Sequence, residues 1–479
     1  MYLGLDLGTS GLKGLVIDAA GGPVAEASAP LSVSRPHPGW SEQDPAQWIA
    51  AADTVLRALA GQIDMRRVAG IGLSGQMHGA TVLDAADQVL RPCILWNDTR
   101  AHAQAATLDA DPRFRAISGN IVFPGFTAPK LVWMAEEEPE LFDRVAKVLL
   151  PKDYLRLWLT GAHVAEMSDA AGTSWLDVGA RDWSEELLAA TGLSRAQMPA
   201  LVEGNEISGG LRAALASEFG LRAGIPVAGG AGDNAATAIG LGIAGAGQGF
   251  VSLGTSGVLF AATEAYTPAP ETAVHTFCHA LPETWHQMGV ILAATDALNW
   301  FATVAGASPA DLTRDLGSLQ PPGKTAFLPY LGGERTPLND AAIRGAFIGL
   351  EHATDRAAAT RAVLEGVVFA LKDCQQALAA TGTRLDSLIA AGGGARSDYW
   401  LSALATALDL PILLPAAGDY GAALGAARLG QMAITGAGRE AMPLPPVARE
   451  ILPDTKLRPA FEDAYQRYGA AQNAIKELT

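Results

Sequence analysis

Two short runs in this sequence carry the residue types that hold a phosphate. Leu-Gly-Thr-Ser-Gly occurs at Leu7–Gly11 and again at Leu253–Gly257. Glycines such as Gly8 and Gly11 let the backbone approach an anion closely, and consecutive amides in such a turn form a nest for phosphate oxygens. Asp6 directly precedes the first run, and its carboxylate suits magnesium, which takes oxygen ligands and keeps several waters. One copy alone reads as an ordinary glycine-rich hairpin beside a solvated aspartate. Two copies facing a cleft clamp a polyphosphate from both sides. Neither run is a Walker A loop, since no GKS or GKT follows, and a GxGxxG with a downstream acid is missing.

Three further places hold groups able to do chemistry. Asp233, in GGAGDNAA, opens a predicted helix; taken alone it reads first as a helix N-cap and only then as a proton acceptor. Met77 and His78 sit in SGQMHG, a loop after an apolar strand, where a lone histidine is more often incidental. His275 and His279 are four apart, but AVHTFCHAL has the pattern of a strand and no third ligand stands nearby in sequence, so both read as structural. Lys13 and Lys130 read as ordinary surface or capping cations.

These groups need elements to position them. The first turn lies inside MYLGLDLGTSGLKGLVID and the second inside GFVSLGTSGVLFAAT, each a strand–turn–strand pattern, about half the chain apart. A second echo is Gly232-Asp233 before NAATAIGLGI and Gly418-Asp419 before YGAALGAARLG, both opening small-residue helices that permit close backbone approach. The repeat predicts two α/β domains around a cleft, divided near residue 244, with strands and amphipathic helices interleaved in mixed sheets. Residues 461–478 read as one amphipathic helix packing on the second domain.

Composition narrows the partners. At 479 residues the chain is long enough for two or three domains of roughly 150–200 residues. The charge sum, 34 − 50 = −16, disfavours a polyanion such as nucleic acid, so any phosphate site must be local. Cys93, Cys278 and Cys374 are odd in number and far apart, which predicts no disulfide framework and a reducing compartment. MYLGLDLG has neither a basic nor an apolar leader pattern, so no signal peptide is expected. The uncharged stretch between Asp233 and Glu264 is long enough to cross a bilayer, but its seven glycines and central GTSG predict a small-residue helix and a buried hairpin instead.

The chain resembles the FGGY carbohydrate kinases from end to end. The resemblance rests on DLGTSGLK at Asp6–Lys13, SRPHPGWSEQDP at Ser34–Pro45, SGQMHG at Ser74–Gly79 and LWNDTR at Leu95–Arg100. It continues with PGFTAPKLVW at Pro124–Trp133, LPKDYLR at Leu150–Arg156, SDAAGTSWLDV at Ser168–Val178 and GGAGDNAA at Gly229–Ala236. The second half adds LPYLGGERTP at Leu328–Pro337, GGGARSDYW at Gly392–Trp400 and GAALGAARLG at Gly421–Gly430. GFTAPKLVWMAEE fits the first family signature; the second, GAFIGL through Glu365, departs only at Ala358 and Ala359, on an expected helix face.

The resemblance implies an α/β fold of two ribonuclease-H-like domains of the actin-like ATPase superfamily around a central cleft. Residues 1–244 form the sugar-binding domain and 245–479 the nucleotide-binding domain. It implies Asp233 as catalytic base and Asp6 as the magnesium-associated carboxylate. Gly8, Thr9, Gly254 and Thr255 become phosphate-turn residues, and Gly393 and Gly394 contact adenosine. Met77 and His78 contact the sugar and help separate xylulose-acting members from those acting on glycerol or ribulose. Trp96, Asn97, Asp98 and Asn234 are further sugar contacts, because an aromatic beside amide and acid groups suits a sugar's apolar face and polar edges. The implied reaction is ATP- and Mg2+-dependent phosphorylation of D-xylulose at O5, giving D-xylulose 5-phosphate and ADP. Its rivals are the same chemistry on another ketopentose or polyol, and a nucleotide-driven binding protein. The expected setting is cytoplasmic, with sugar and ATP as partners, neither nucleic acid nor membrane, and a homodimer compatible with the resemblance. Cleft closure is expected about a hinge near 233–250, where Gly240, Gly242, Gly245, Gly247 and Gly249 cluster.

Overall fold

Residues 1–18 fold as the hairpin their pattern predicts. In the computed structural model, which describes residues 1–314, 316–416 and 421–478, β1 (Tyr2–Leu7) and β2 (Gly11–Ile17) pair antiparallel across the first Gly-Thr-Ser turn. β3 (Pro23–Pro30) continues the meander, and β4 (Gly70–Gly75) returns parallel to β1. With β5 (Ile207–Gly210) and β6 (Pro226–Ala228) the first sheet has the order β5-β6-β4-β1-β2-β3, and the short β7 (Ala231–Gly232) pairs with the end of β4.

The second sheet repeats this plan. Its strands are β8 (Gly247–Leu253), β9 (Gly257–Thr263), β10 (His275–Cys278), β11 (Trp285–Ile291), β12 (Leu385–Ala391), β13 (Ile412–Pro415) and β14 (Val447–Ile451). They run in the order β10-β11-β9-β8-β12-β13-β14, so β11-β9-β8-β12-β13 mirrors β3-β2-β1-β4-β6. In both halves the turn-bearing hairpin is antiparallel and the next strand lies parallel to its first arm.

Helices cover both sheets. α1 (Pro45–Ala60) starts on an Asp44 cap with proline in its first turn and buries Trp48, Val55 and Leu59 against the first sheet. α2 (Thr127–Glu137) and α3 (Pro151–Thr160) follow, and α4 (Asp233–Gly240) closes the first half. α5 (Thr295–Ala305), α6 (Arg356–Ala380) and α7 (Asp398–Leu408) pack on the second sheet. α8 (Gly421–Thr435) comes next, and α9 (Arg458–Lys476) sets Phe461, Tyr465 and Tyr468 against Phe369 in the second core, as its amphipathic pattern predicts. Ala358 and Ala359 lie half-buried on the first turn of α6, where the Asp355 side chain accepts from the Ala358 amide at 2.7 Å. Gly418-Asp419, the second member of the helix-opening echo, lies outside the described residues.

α8 belongs to the second half by sequence but packs on the first sheet. A Cβ on Gly4 would collide with the Ala423 carbonyl, and one on Gly72 with the Ala426 carbonyl. On its other side α8 crosses α4 backbone to backbone: Gly425 abuts the Ala236 carbonyl and Gly240 the Gly421 carbonyl. Gly240 is therefore a packing residue and not a free hinge, and Gly249 is likewise closed in by the Phe260 carbonyl. Gly242 and Gly247, at φ of 74° and 82°, adopt the left-handed conformation that glycine tolerates. Residues 233–263 form a small-residue helix and a buried hairpin, and no described helix is long and apolar enough to cross a membrane. All three cysteines are buried free thiols.

Candidate active site

The strand ends bring the two carboxylates together. Asp6 on β1 is level with Ser74 on β4, which is level with Ala231 on β7, and Asp233 follows two residues later as the first residue of α4. Gly232, not Asp233, is the helix N-cap, and its amide donates to Ser168 Oγ at 3.0 Å. Asp233 Oδ1 accepts from the Asn234 amide at 2.7 Å and from Asn234 Nδ2 at 3.0 Å. Burial, and then the negative charge of Asp6, raise the Asp233 carboxyl to about 6. Burial also raises Asp6, against the opposing pulls of Ser74 and Lys13, and its Oδ1 is buried with no hydrogen-bond partner among the described residues.

Beneath Asp233 lies a set of charges that sequence reading did not connect. Arg156 donates to the Ala228 carbonyl at 2.7 Å and to the Gly229 carbonyl, holding the loop that leads into α4. Lys152, fully buried, pairs with Asp153 at 2.6 Å, Asp169 at 3.3 Å and Glu166 at 3.5 Å. Glu166 in turn accepts from Ser168 Oγ at 2.8 Å. The LPKDYLR and SDAAGTSW motifs thus meet under one loop, far apart in sequence.

Asp233 opens onto a cavity of ≈ 270 Å³, just below the roughly 300–1,000 Å³ typical of drug-sized ligands, which suits a small sugar. Met77, His78, Trp96 and Phe126 reach it from the first half, and Asn234 stands beside the carboxylate. His78 is held in a left-handed conformation, φ 68°. Its carbonyl accepts from Lys130 Nζ at 2.7 Å and from Thr127 Oγ1 at 3.2 Å. Its Nδ1 lies 2.7 Å from the Gly172 carbonyl, which can only accept, so Nδ1 carries the proton and Nε2 is left as an acceptor. A Cβ at residue 172 would strike the imidazole. The ring stacks on Phe126 at 4.5 Å between centroids, and burial drops its pKa to about 3, so the imidazole is neutral.

Lys130 is not the surface cation its sequence suggested. It is 1% exposed, and burial lowers its ammonium to about 7. Its amphipathic helix, α2, turns it inward onto the His78 carbonyl, which its lone position in sequence could not reveal. Lys13 lies 3.5 Å from Glu26 and pairs across the hairpin with Asp6.

Of the WNDTR loop only Trp96 lines the cavity. Its indole donates to Thr9 Oγ1 at 3.0 Å, and Thr9 passes a hydrogen bond to Gln76 Oε1 at 2.9 Å. Gln43 closes the network, donating to the Thr9 carbonyl at 2.7 Å and accepting from Gln76 at 2.9 Å. The Thr9 hydroxyl therefore orients the tryptophan as well as belonging to the first turn. Asp98 is turned away: its carboxylate accepts from the Ser41 amide at 2.6 Å and from Arg100 at 2.7 and 2.9 Å. Asn97 is exposed and outside the cavity lining.

The second half supplies the opposite wall. Ser256, from the second turn, lines the same cavity, and helix α5 braces that turn, with Thr295 Oγ1 donating to the Gly254 carbonyl and the Ala294 amide to that of Thr255, both at 2.8 Å. His275, Phe277 and Arg335 were not anticipated as lining residues. His275 lies on a strand as its pattern predicts, and burial keeps it neutral. His279 is buried behind it against Phe260 and His286, and no group of three or more metal-ligating side chains occurs among the described residues. A separate pocket of ≈ 540 Å³ is lined by Gly393 and Gly392 with apolar Leu241, Leu414 and Leu424. Gly394 points elsewhere, against Leu253 and Trp400.

The comparisons with known proteins agree along the whole chain. The model of the FGGY carbohydrate kinase N-terminal domain matches residues 1–240, and that of the C-terminal domain residues 249–434. The xylulose kinase of Escherichia coli (strain K12) is 49% identical over 467 residues, 96% of each chain. Among crystal structures, a "xyloylose kinase" from Brucella ovis matches with a TM-score of 0.98 at 63% identity over 100% of both chains. The xylulose kinase from Rhodospirillum rubrum matches with a TM-score of 0.93 at 29% identity, covering 100% of this chain and 99% of that one.

Proposed function

Because this chain belongs to the FGGY family of carbohydrate kinases, with the two-domain α/β fold of the actin-like ATPase type, we propose that it phosphorylates D-xylulose at O5 with ATP. The observation that carries this reading is the cavity that joins Asp233 to the neutral His78, in a chain whose relatives act on xylulose by name.

Asp233 is the proton acceptor. As the O5 oxygen bonds to the γ-phosphorus and the bond to the β-phosphate oxygen breaks, the hydroxyl proton passes to its carboxylate. A carboxyl at about 6 is mostly ionised at neutral pH yet basic enough to take that proton. His78 Nε2 and Asn234 accept and donate to sugar hydroxyls, and Trp96 and Phe126 meet the apolar faces. The turns that hold Gly8, Thr9, Gly254 and Thr255 receive the phosphates; the Gly8 amide closes the first turn on the Gly11 carbonyl at 3.0 Å, so the amides of Thr9, Gly254 and Thr255 are the donors, and the Gly393-lined pocket receives adenosine.

Magnesium fits the first turn. Asp6 offers a buried carboxylate oxygen with no partner among the described residues, and magnesium, which keeps several waters, would need no larger protein ligand set there. Held by Asp6, it would supply positive charge beside the phosphates. Residues 1–244 act as the sugar-binding domain and 245–479 as the nucleotide-binding domain, with the cavity drawing on both. The three free thiols fit a cytoplasmic setting.

The test is ADP production with D-xylulose, D-ribulose, L-ribulose and glycerol. D-xylulose is expected to give the highest kcat/KM, because a misplaced hydroxyl leaves a buried polar group unpaired. His78→Ala erodes that ranking more than it affects ATP binding. A win for glycerol or a ribulose would overturn the xylulose assignment, and sugar-independent ADP release alone would favour a nucleotide-driven binding protein.

A further inference from the structure

Arg335 enters the cavity from the second half through the LPYLGGERTP segment. Its guanidinium makes no hydrogen bond or ion pair with any described residue. The neighbouring Glu334 does not neutralise it by contact, because Glu334 Oε1 accepts from the backbone amides of Leu292 at 2.9 Å and of Arg335 itself at 2.7 Å. The guanidinium instead lies over the Phe123 ring, 4.7 Å from its centroid. It shares the cavity with apolar Met77, Phe126 and Met288 as well as with Asp233, Asn234 and His78. A half-buried cation whose five N–H donors open on the cavity is placed to take the acceptors that a ligand brings.

Its position picks out one end of the ligand. The Phe123 ring under the guanidinium packs on Phe126 at 5.5 Å and on His275 at 5.2 Å between centroids, whereas Asp233 stands at the start of α4, bonded to Asn234. The guanidinium therefore belongs to the Phe123–His275 side of the cavity, and the base to the α4 side. On the reading that O5 of D-xylulose lies at Asp233, the remote end is C1–C2. A 2-ketopentose closes its furanose ring through O5, so a sugar whose O5 is the acceptor must be in the open-chain form, with a free ketone at C2. The ketone oxygen and O1 are acceptors on adjacent carbons, a pair matched to the fork of a guanidinium.

We propose that Arg335 is a specificity residue that reads the ketone end of the open-chain sugar, donating to the C2 carbonyl oxygen and to O1. It selects a 2-ketose over the polyol of the same length, and it rests on the D-xylulose reading above.

The test uses the full-length protein, Arg335→Gln and Arg335→Lys, with D-xylulose and the two pentitols, xylitol and D-arabinitol, formed by reducing its C2 ketone. Dissociation constants for each are measured by calorimetry, with kcat and KM for D-xylulose, KM for ATP, and the circular dichroism spectrum. Arg335→Gln is expected to weaken D-xylulose by about 100-fold, mainly in Kd and KM, and the pentitols by less than about 3-fold. Arg335→Lys, with a point charge in place of the fork, falls between. KM for ATP and the circular dichroism spectrum match the wild type, which establishes that the variants are folded. Equal losses for ketose and pentitols would overturn the proposal. So would a fall in kcat with the Kd for D-xylulose unchanged, which would assign the guanidinium to the transferring phosphoryl group. A wild-type protein that does not phosphorylate D-xylulose would instead sink the functional reading, before any variant is made.

Discussion

Replacing Asp233 by asparagine is expected to abolish most activity and at the same time make the ligand-free protein more stable. Asparagine keeps the size of the side chain and the oxygen that accepts from Asn234, but it cannot take a proton, so kcat should fall by roughly 10²–10⁴. The stability effect follows from the carboxyl's displacement from 3.8 to about 6. At about 1.4 kcal/mol per tenfold change in proton affinity, holding the ionised form in this site costs up to about 3 kcal/mol relative to the unfolded chain. Because the folded-state value is raised, the folded protein binds the proton more tightly. Wild-type stability therefore declines as pH rises from about 4 through about 6 and then levels off. Asparagine does not titrate, so the variant's advantage is absent near pH 4 and complete above about pH 7. After allowing for local relaxation, about 1–3 kcal/mol should survive, or roughly 2–12 °C in Tm at about 2–4 °C per kcal/mol. Calorimetric scans of both proteins at pH 4.5, 6 and 8, beside an ADP-release assay, measure the two effects together. A variant that is inactive but gains no more over the wild type at pH 8 than at pH 4.5 would refute the strained-carboxylate argument. A variant that keeps near-normal turnover would remove Asp233 from the chemistry.

Lys130→Met should raise KM for the sugar about tenfold while leaving KM for ATP unchanged, since the His78 carbonyl loses its charged donor and keeps only Thr127; a proportional loss in ATP binding would point to general unfolding. Gly425→Val should lower Tm by several degrees, because its side chain must displace the Ala236 carbonyl where α4 and α8 cross, an overpacking cost of about 3 kcal/mol or more; an unchanged Tm would mean the crossing is loose. Small-angle scattering should show a smaller radius of gyration with D-xylulose and a non-hydrolysable ATP analogue together, since both halves line the cavity at Asp233; an unchanged radius at saturation would mean the cleft is preformed.

Much of the architecture was legible because it is written locally. The strand–turn–strand pattern at 1–18 and 249–263 needs only alternation and turn glycines, and each forms the first hairpin of one sheet. The small-residue pattern of residues 421–430 announced close packing, though not that the partners would be β1 and β4 of the other half. Candidate residues that lie next to a turn or helix start, such as Asp6, His78 and Asp233, stand out in the sequence for the same reason. Arg335 and His275 were not, because their arrival at the cavity depends on how the halves dock. Asp98 misled: an acid beside Trp96 looked free to bind sugar, but Arg100, two residues on, and the distant Ser41 amide occupy it. Lys130 misled in the opposite sense, since burial of a lysine is set by the carbonyl it finds and not by its neighbours in sequence.

The seat of α8 on the first sheet has a consequence for biosynthesis. β1 and β4 leave the ribosome well before the helix that covers them, which spans Gly421–Thr435. At roughly 5–20 residues per second, the stretch of about 180 residues between the end of the first half and that helix takes on the order of 10–35 s to translate. Throughout that interval the nascent chain carries a sheet whose Tyr2, Leu15 and Ile17 wait for Ala423 and Ala427. The growing chain is therefore a natural client for a chaperone that shields apolar surface. A first half expressed without residues 421–435 would expose the same face permanently and aggregate, whereas supplying that helix as a separate peptide should rescue its solubility.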